Sequence, residues 1–138
     1  MKKITFAEVE YIAFHLAQKK LTFDEPIPDF STRFPGVLES CIAVPFQKFG
    51  GKSPYNTLTA RAAILFYLMI KNHPFQNGNK RVAMMTLFVF LYDSNKWIAV
   101  DEKELYNFTV WVAQSPPTVK NATVAAIEEF LTKYITMP

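Results

Sequence analysis

A chain of 138 residues, half of them hydrophobic, is long enough to bury a real core and fits a single domain over residues 1–138. Nine prolines and four glycines exclude a low-complexity chain, and the lone Cys41 excludes an intramolecular disulfide. The net charge of +3 helps to draw in an anionic ligand, but basic runs no longer than pairs such as Lys2-Lys3 and Lys19-Lys20 lack the clustering of a nucleic-acid surface.

Glu8 and Glu10 interrupt the basic start that a signal peptide needs, and no stretch reads as a membrane span, so a cytoplasmic protein is the expectation. Thr5 with Glu8 is a capping-box pattern, and Val9, Ile12, Ala13 and Leu16 recur at helical spacing. The spacing predicts an amphipathic helix over 6–20, with Lys19 and Lys20 suiting its C-terminus and His15 off the apolar face, solvated. Residues 23–35 hold Pro26, Pro28 and Pro35 and have no period, which predicts a loop wrapped over the core by Phe23, Ile27, Phe30 and Phe34. A short helix over 37–44 follows, with Leu38, Cys41 and Ile42 inward and Cys41 acting as a small buried hydrophobe. Gly50-Gly51 between short β-capable pieces predicts a hairpin or flap over 45–54.

Leu58, Ala62, Leu65 and Met69 mark a helix over 58–71, capped by Asn56 or Thr57 and widened by Phe66, Leu68 and Ile70. Residues 82–92 are apolar apart from Thr86 and Tyr92, which predicts a central helix buried on all sides and ended by Asp93-Ser94-Asn95. Asp101 and Glu104 form a second capping-box pattern ahead of Leu105, Phe108, Trp111 and Val112, and Ser115-Pro116-Pro117 stops that helix. Val119, Thr123, Ile127, Phe130 and Tyr134 give a last helix, ending near residue 134. The sum is an all-α bundle with a central buried helix, one wrapped loop and one small β-hairpin.

The chemistry concentrates between the helices over 58–71 and 82–92, in His73-Pro74-Phe75-Gln76-Asn77-Gly78-Asn79-Lys80-Arg81. A helix N-terminus carries free N–H groups and a partial positive charge, so it attracts anions. Gly78 lets the backbone approach a ligand, and the N–H groups of residues 78–81 are available to an anion. Arg81 brings a planar cationic fork suited to phosphate, and Lys80 a point charge. His73 is the loop group that titrates near neutrality and is the candidate general base. Phe75, apolar among polar neighbours, is expected to plug into the core and anchor the loop. The same residues also suit an ordinary helix-connecting turn, in which Asn caps the helix and Lys80 and Arg81 are simply solvated.

The nine residues from His73 to Arg81 resemble the active-site motif of the Fic/Doc family, His-x-Phe-x-Asp/Glu-Gly/Ala-Asn-Gly/Lys-Arg. Upstream, Pro35-Gly36-Val37-Leu38-Glu39-Ser40 and residues 45–51 resemble the segment before the motif in Doc, the death-on-curing branch. The resemblance implies a Fic/Doc-type helical bundle that transfers a phosphorus-containing group from ATP, with Mg²⁺, to a protein hydroxyl. It implies that His73 deprotonates the target Ser or Thr, that Gly78, Asn79 and Lys80 form the anion hole, and that Arg81 holds phosphate. The hairpin over 45–54 would dock the target as an added strand.

Lys80 stands where AMP-transferring members carry a second glycine, and Met84 where they carry a further arginine. Both substitutions resemble Doc, which transfers the γ-phosphate instead. Asn77 occupies the position of the acid that binds Mg²⁺, and a neutral amide is a poorer partner for a hard cation. No Glu is followed by Gly or Asn, so the Ser/Thr-x-x-x-Glu-Gly/Asn pattern of self-inhibiting members is missing. The expected protein is a Doc-like toxin kinase acting on a cytoplasmic protein, such as a translation factor, restrained by a separate antitoxin and binding neither nucleic acid nor membrane. Two alternatives stand beside it: an AMP-transferring Fic enzyme, and a catalytically silent nucleotide- or partner-binding module.

Overall fold

The computed structural model describes residues 2–138. Six helices form the body. Helix α1 is built of three consecutive pieces, α-helical over Phe6–Glu8, π-helical over Val9–Phe14 and α-helical again over His15–Lys20. The others are α2 (Pro35–Ala43), α3 (Leu58–Lys71), α4 (Asn79–Asp93), α5 (Glu102–Gln114) and α6 (Lys120–Tyr134). Two short strands, β1 (Trp97–Ile98) and β2 (Ile135–Thr136), pair antiparallel, with Trp97 opposite Thr136 and Ile98 opposite Ile135. No helix among the described residues is long and apolar enough to cross a membrane.

The caps behave as local chemistry dictates. The Thr5 hydroxyl accepts from Glu8 N–H at 3.1 Å while the Glu8 carboxylate accepts from Thr5 N–H at 3.0 Å, a complete capping box. Thr57, rather than Asn56, caps α3. Asp101 accepts from Glu104 N–H at the start of α5.

Helix α1 departs from the predicted face. Val9 and Ala13 are buried, but so are Phe14 and Ala17, while Ile12 is 43% exposed. The π-helical stretch bonds i→i+5 and adds a residue to its turn, so the inward positions shift from Ile12 and Leu16 to Phe14 and Ala17. The wrapped loop is also only half as apolar inside as predicted: Ile27 and Phe30 are buried, whereas Phe23 and Phe34 lie exposed. Arg33 seals its end, stacked over the rings of Phe6 and Phe30 at 5.0 and 4.6 Å.

The helix enclosed on all sides is α3, not α4. Residues 62–70 of α3 are buried without a break, among α4, α5, α6 and α2. Helix α4 packs along α3 and α1, but Met85, Phe88, Val89 and Tyr92 turn outward to an apolar groove of about 550 Å³ shared with Ile12, Leu16 and Trp97. Trp97 stacks on Phe88 at 5.0 Å, so the β1–β2 pair closes the chain's end against this face. No local pattern announces that pair, because its two strands are two residues each and far apart along the chain. The hairpin at 45–54 is reduced to one rung, Phe49 with Lys52, around Gly50 and Gly51 at φ +59° and +78°, as a tight turn with two left-handed residues requires. Cys41 is fully buried and burial pushes its thiol up to about 11, which leaves it an inert core group.

Helices α1 and α4 also meet through two carboxylates, Glu8 and Asp93. Desolvation, a hydrogen bond with Glu8 and the Glu8 charge push Asp93 up to about 6, against a smaller opposing pull from Lys2. Glu8 is lowered: burial alone would raise it, but hydrogen bonds from Asp93 and Thr5 and the charge of Lys2 outweigh that. From the ordinary 3.8 of Asp93 up to about 6, the native state keeps a proton that the unfolded chain has lost. Stability attributable to Asp93 therefore falls as pH rises through that window, whereas the smaller contribution of Glu8 is lost only as pH falls through its own lowered pKa. We expect Asp93→Asn to abolish the decline, seen as a urea midpoint that stays level from about pH 4 to about pH 7. An identical decline in the variant would assign it to other groups.

Candidate functional site

The turn between α3 and α4 is bent by His73, whose φ of +52° is left-handed for a non-glycine residue. A residue before proline is normally extended, so this geometry holds strain of about 1–3 kcal/mol that the surroundings must offset. They do so at three points. Pro74 O accepts from Phe34 N–H at 2.9 Å. Phe75 is 3% exposed and sits between Phe14 and Phe30, with ring centroids at 5.2 and 6.0 Å. Asn79 closes the turn: its Oδ1 accepts from Phe75 N–H at 2.9 Å and its Nδ2 donates to Phe75 O at 2.8 Å.

Those two bonds fix the Asn79 amide, and its Nδ2 also lies 3.3 Å from His73 Nδ1. In the tautomer that carries its proton on Nε2, Nδ1 accepts from that amide N–H. The imidazole is exposed, on the wall of a cavity of about 620 Å³.

Helix α4 begins three residues earlier than its apolar run, so Asn79, Lys80 and Arg81 are its first turn. Gly78 is the cap residue, at φ +79°. The first bond of the ladder runs from Val82 N–H to Gly78 O at 2.9 Å. The N–H groups of Asn79, Lys80 and Arg81 therefore have no acceptor within the helix and form the electropositive end at the cavity. The Gly78 N–H is used differently, donating to Asn77 Oδ1 at 2.8 Å.

Lys80 is half-buried and lines the cavity. Arg81 also lines it but is only 3% exposed, and it donates to Leu21 O at 3.2 Å and Glu25 O at 2.6 Å. Two of its five donors are thereby spent on the loop after α1. The predicted residues His73, Asn77, Gly78, Asn79, Lys80 and Arg81 are thus gathered around one cavity, with Phe75 behind it in the core.

The opposite wall was missed by sequence reasoning. It consists of Asp24 and Glu25 from the loop, and Tyr106, Val110 and Ala113 from α5. Tyr106 O–H donates to the Asp24 carboxylate at 2.9 Å and its ring meets Phe23 edge-on at 4.9 Å. Burial, then the bond to Asp24 and its charge, raise the Tyr106 phenol, with Arg81 opposing. Helix α5 is itself held by Lys71, the last residue of α3, which donates to Ala113 O and Ser115 O and caps the α5 C-terminus. Two adjacent acids in a loop carry no signal beyond solvation, and the pairing of Asp24 with Tyr106 spans 82 residues.

The residues present do not make a metal centre. Asn77 offers one neutral oxygen, already an acceptor for Gly78, and among the described residues no group of three or more His, Cys, Asp or Glu is placed to hold a metal ion.

A family model described as Fic, the Fic/DOC family, matches residues 4–91, which takes in helices α1 to α3, the turn and most of α4. Searches of curated proteins and of solved structures each returned no significant match.

A Cβ added at Gly78 would lie 2.6 Å from Ile27 Cγ1, and the left-handed φ disfavours any side chain there. Gly78→Ala is expected to lower stability by about 1–3 kcal/mol, read from the urea midpoint. A variant as stable as the parent would show that Ile27 and the turn yield without cost.

Proposed function

The chain belongs to the Fic/DOC family, and from that premise we propose that it transfers the γ-phosphate of ATP to a Ser or Thr hydroxyl of a protein. Members of the family typically transfer nucleotide-derived groups to proteins, and the cavity around His73 is where that chemistry fits this chain. The observation that carries the γ-phosphate reading is the first turn of α4. Its three free N–H groups stand beside Lys80, whereas the next position on that face, Met84, is fully buried and apolar. One strong anion site at the helix end, with no second cation a turn further on, suits one terminal phosphate.

In this reading the terminal phosphoryl group sits on the N–H groups of residues 79–81 with Lys80. His73 takes the proton of the target hydroxyl, the hydroxyl oxygen forms a bond to the γ-phosphorus, and the bond from that phosphorus to the bridging oxygen breaks to release ADP. For Nε2 to accept the proton, the 3.3 Å contact to Asn79 must open and the ring proton move to Nδ1. Arg81 acts mainly through the loop it holds. The single-rung hairpin with exposed Phe49 presents the target segment. With no self-inhibiting pattern in the sequence, restraint falls to a separate antitoxin protein, and the target is a cytoplasmic protein such as a translation factor.

Incubation with γ-labelled ATP and cell extract should label a protein band, and His73→Ala should reduce that label by about 10²-fold or more. Label from α-labelled ATP, with none from γ-labelled ATP, would establish AMP transfer instead. The neutral amide of Asn77 favours a second reading, a silent nucleotide-binding module. Under that reading neither the parent nor Asn77→Asp transfers label from either nucleotide.

A further inference from the structure

The cavity has two electrical faces. One is the end of α4 with Lys80, Arg81 and His73; the other is the loop wall with Asp24 and Glu25, and between them lie Ile70, Val110 and Ala113. A carboxylate facing a phosphate site repels phosphate, so a ligand can enter with its phosphates in one direction only. The group at its other end must carry no negative charge and be able to donate hydrogen bonds. Asp24 is also held in place for contact. Its carboxylate accepts from Tyr106 O–H at 2.9 Å, and the backbone on either side is tied down by Arg81 at Leu21 O and Glu25 O. Its φ of +64° is left-handed, a backbone that aspartate tolerates better than most side chains.

We infer that Asp24 is a specificity residue that accepts hydrogen bonds from the ribose hydroxyls of the nucleotide, with the base lying over Ile70, Val110 and the Tyr106 ring. The inference rests on the nucleotide reading above and adds which end of the ligand faces which wall. A cavity of about 620 Å³ lies within the usual range for a ligand of that size. Tyr106 is a positioning residue: it holds Asp24 and does not itself select the sugar.

The test is calorimetric binding of ATP, 2′-deoxy-ATP and inorganic tripolyphosphate, in EDTA and again with Mg²⁺, to the parent, Asp24→Asn and Tyr106→Phe. Asparagine tolerates the left-handed backbone and keeps the shape, so Asp24→Asn should fold. The parent should prefer ATP to 2′-deoxy-ATP. Asp24→Asn should bind ATP about tenfold or more weakly, lose the preference, and bind tripolyphosphate no more weakly than the parent does. Tyr106→Phe should reduce the same preference by a smaller factor, which a purely structural role would leave unmoved. An unchanged ATP to 2′-deoxy-ATP ratio in Asp24→Asn overturns the inference and leaves the nucleotide reading standing. So does an equal loss for tripolyphosphate, which seen only with Mg²⁺ would mark Asp24 as a metal ligand. A parent that binds none of the three ligands removes both.

Discussion

The buried guanidinium of Arg81 is the constraint on which the site depends. A cation taken out of water must be met by good acceptors, and here these are the main-chain oxygens of Leu21 and Glu25. Leu21 ends α1, so its carbonyl is among those that a helix leaves unpaired, at the negative end of its dipole. One side chain in the first turn of α4 thus satisfies the end of α1 and draws the loop after it against the cavity. Phe23 lies under the guanidinium at 5.7 Å, and Tyr106 holds the loop from the other side through Asp24. Both walls of the cavity follow from these contacts.

A second constraint is aromatic. The strained turn at His73 persists because Phe75 is locked between Phe14 and Phe30 and because Asn79 bonds both backbone atoms of Phe75. Phe14 reaches that position only because α1 is π-helical where it passes α4. The irregularity in the first helix and the exposed histidine are therefore two ends of one packing arrangement. Beneath them, the unbroken apolar run of α3 supplies the rigid floor, and Lys71 at its end fixes α5. A site assembled on rigid elements loses little freedom when a ligand arrives.

Charge within the cavity divides the labour. Free N–H groups and Lys80 make one end suited to phosphate, and Asp24 and Glu25 make the other suited to donors. At Asn77, where the family motif carries an acid, the amide oxygen serves the turn by accepting from Gly78 N–H.

The amino-acid sequence by itself determined what is local. The ends of α3 and α6, the cap at Thr5, the anchor at Phe75 and the nine-residue turn all follow from spacing, caps and residue type within a few positions of each other. The family resemblance likewise rests on contiguous residues, and the match over residues 4–91 bears it out at the level of the family. Tertiary structure decided the rest. Which face of α1 turns inward depended on a π-helical stretch that packs against α4. The outward face of α4 depended on where its neighbours end, since an apolar run records only that a helix avoids water and not how much of it other chain segments cover. Arg81 reads as a phosphate-binding fork in the sequence, and its use as a tether to carbonyls 60 and 56 residues away is invisible there. The second wall of the cavity, with Asp24 and Tyr106, exists only because folding brings together side chains whose own neighbourhoods in the chain carry no trace of one another.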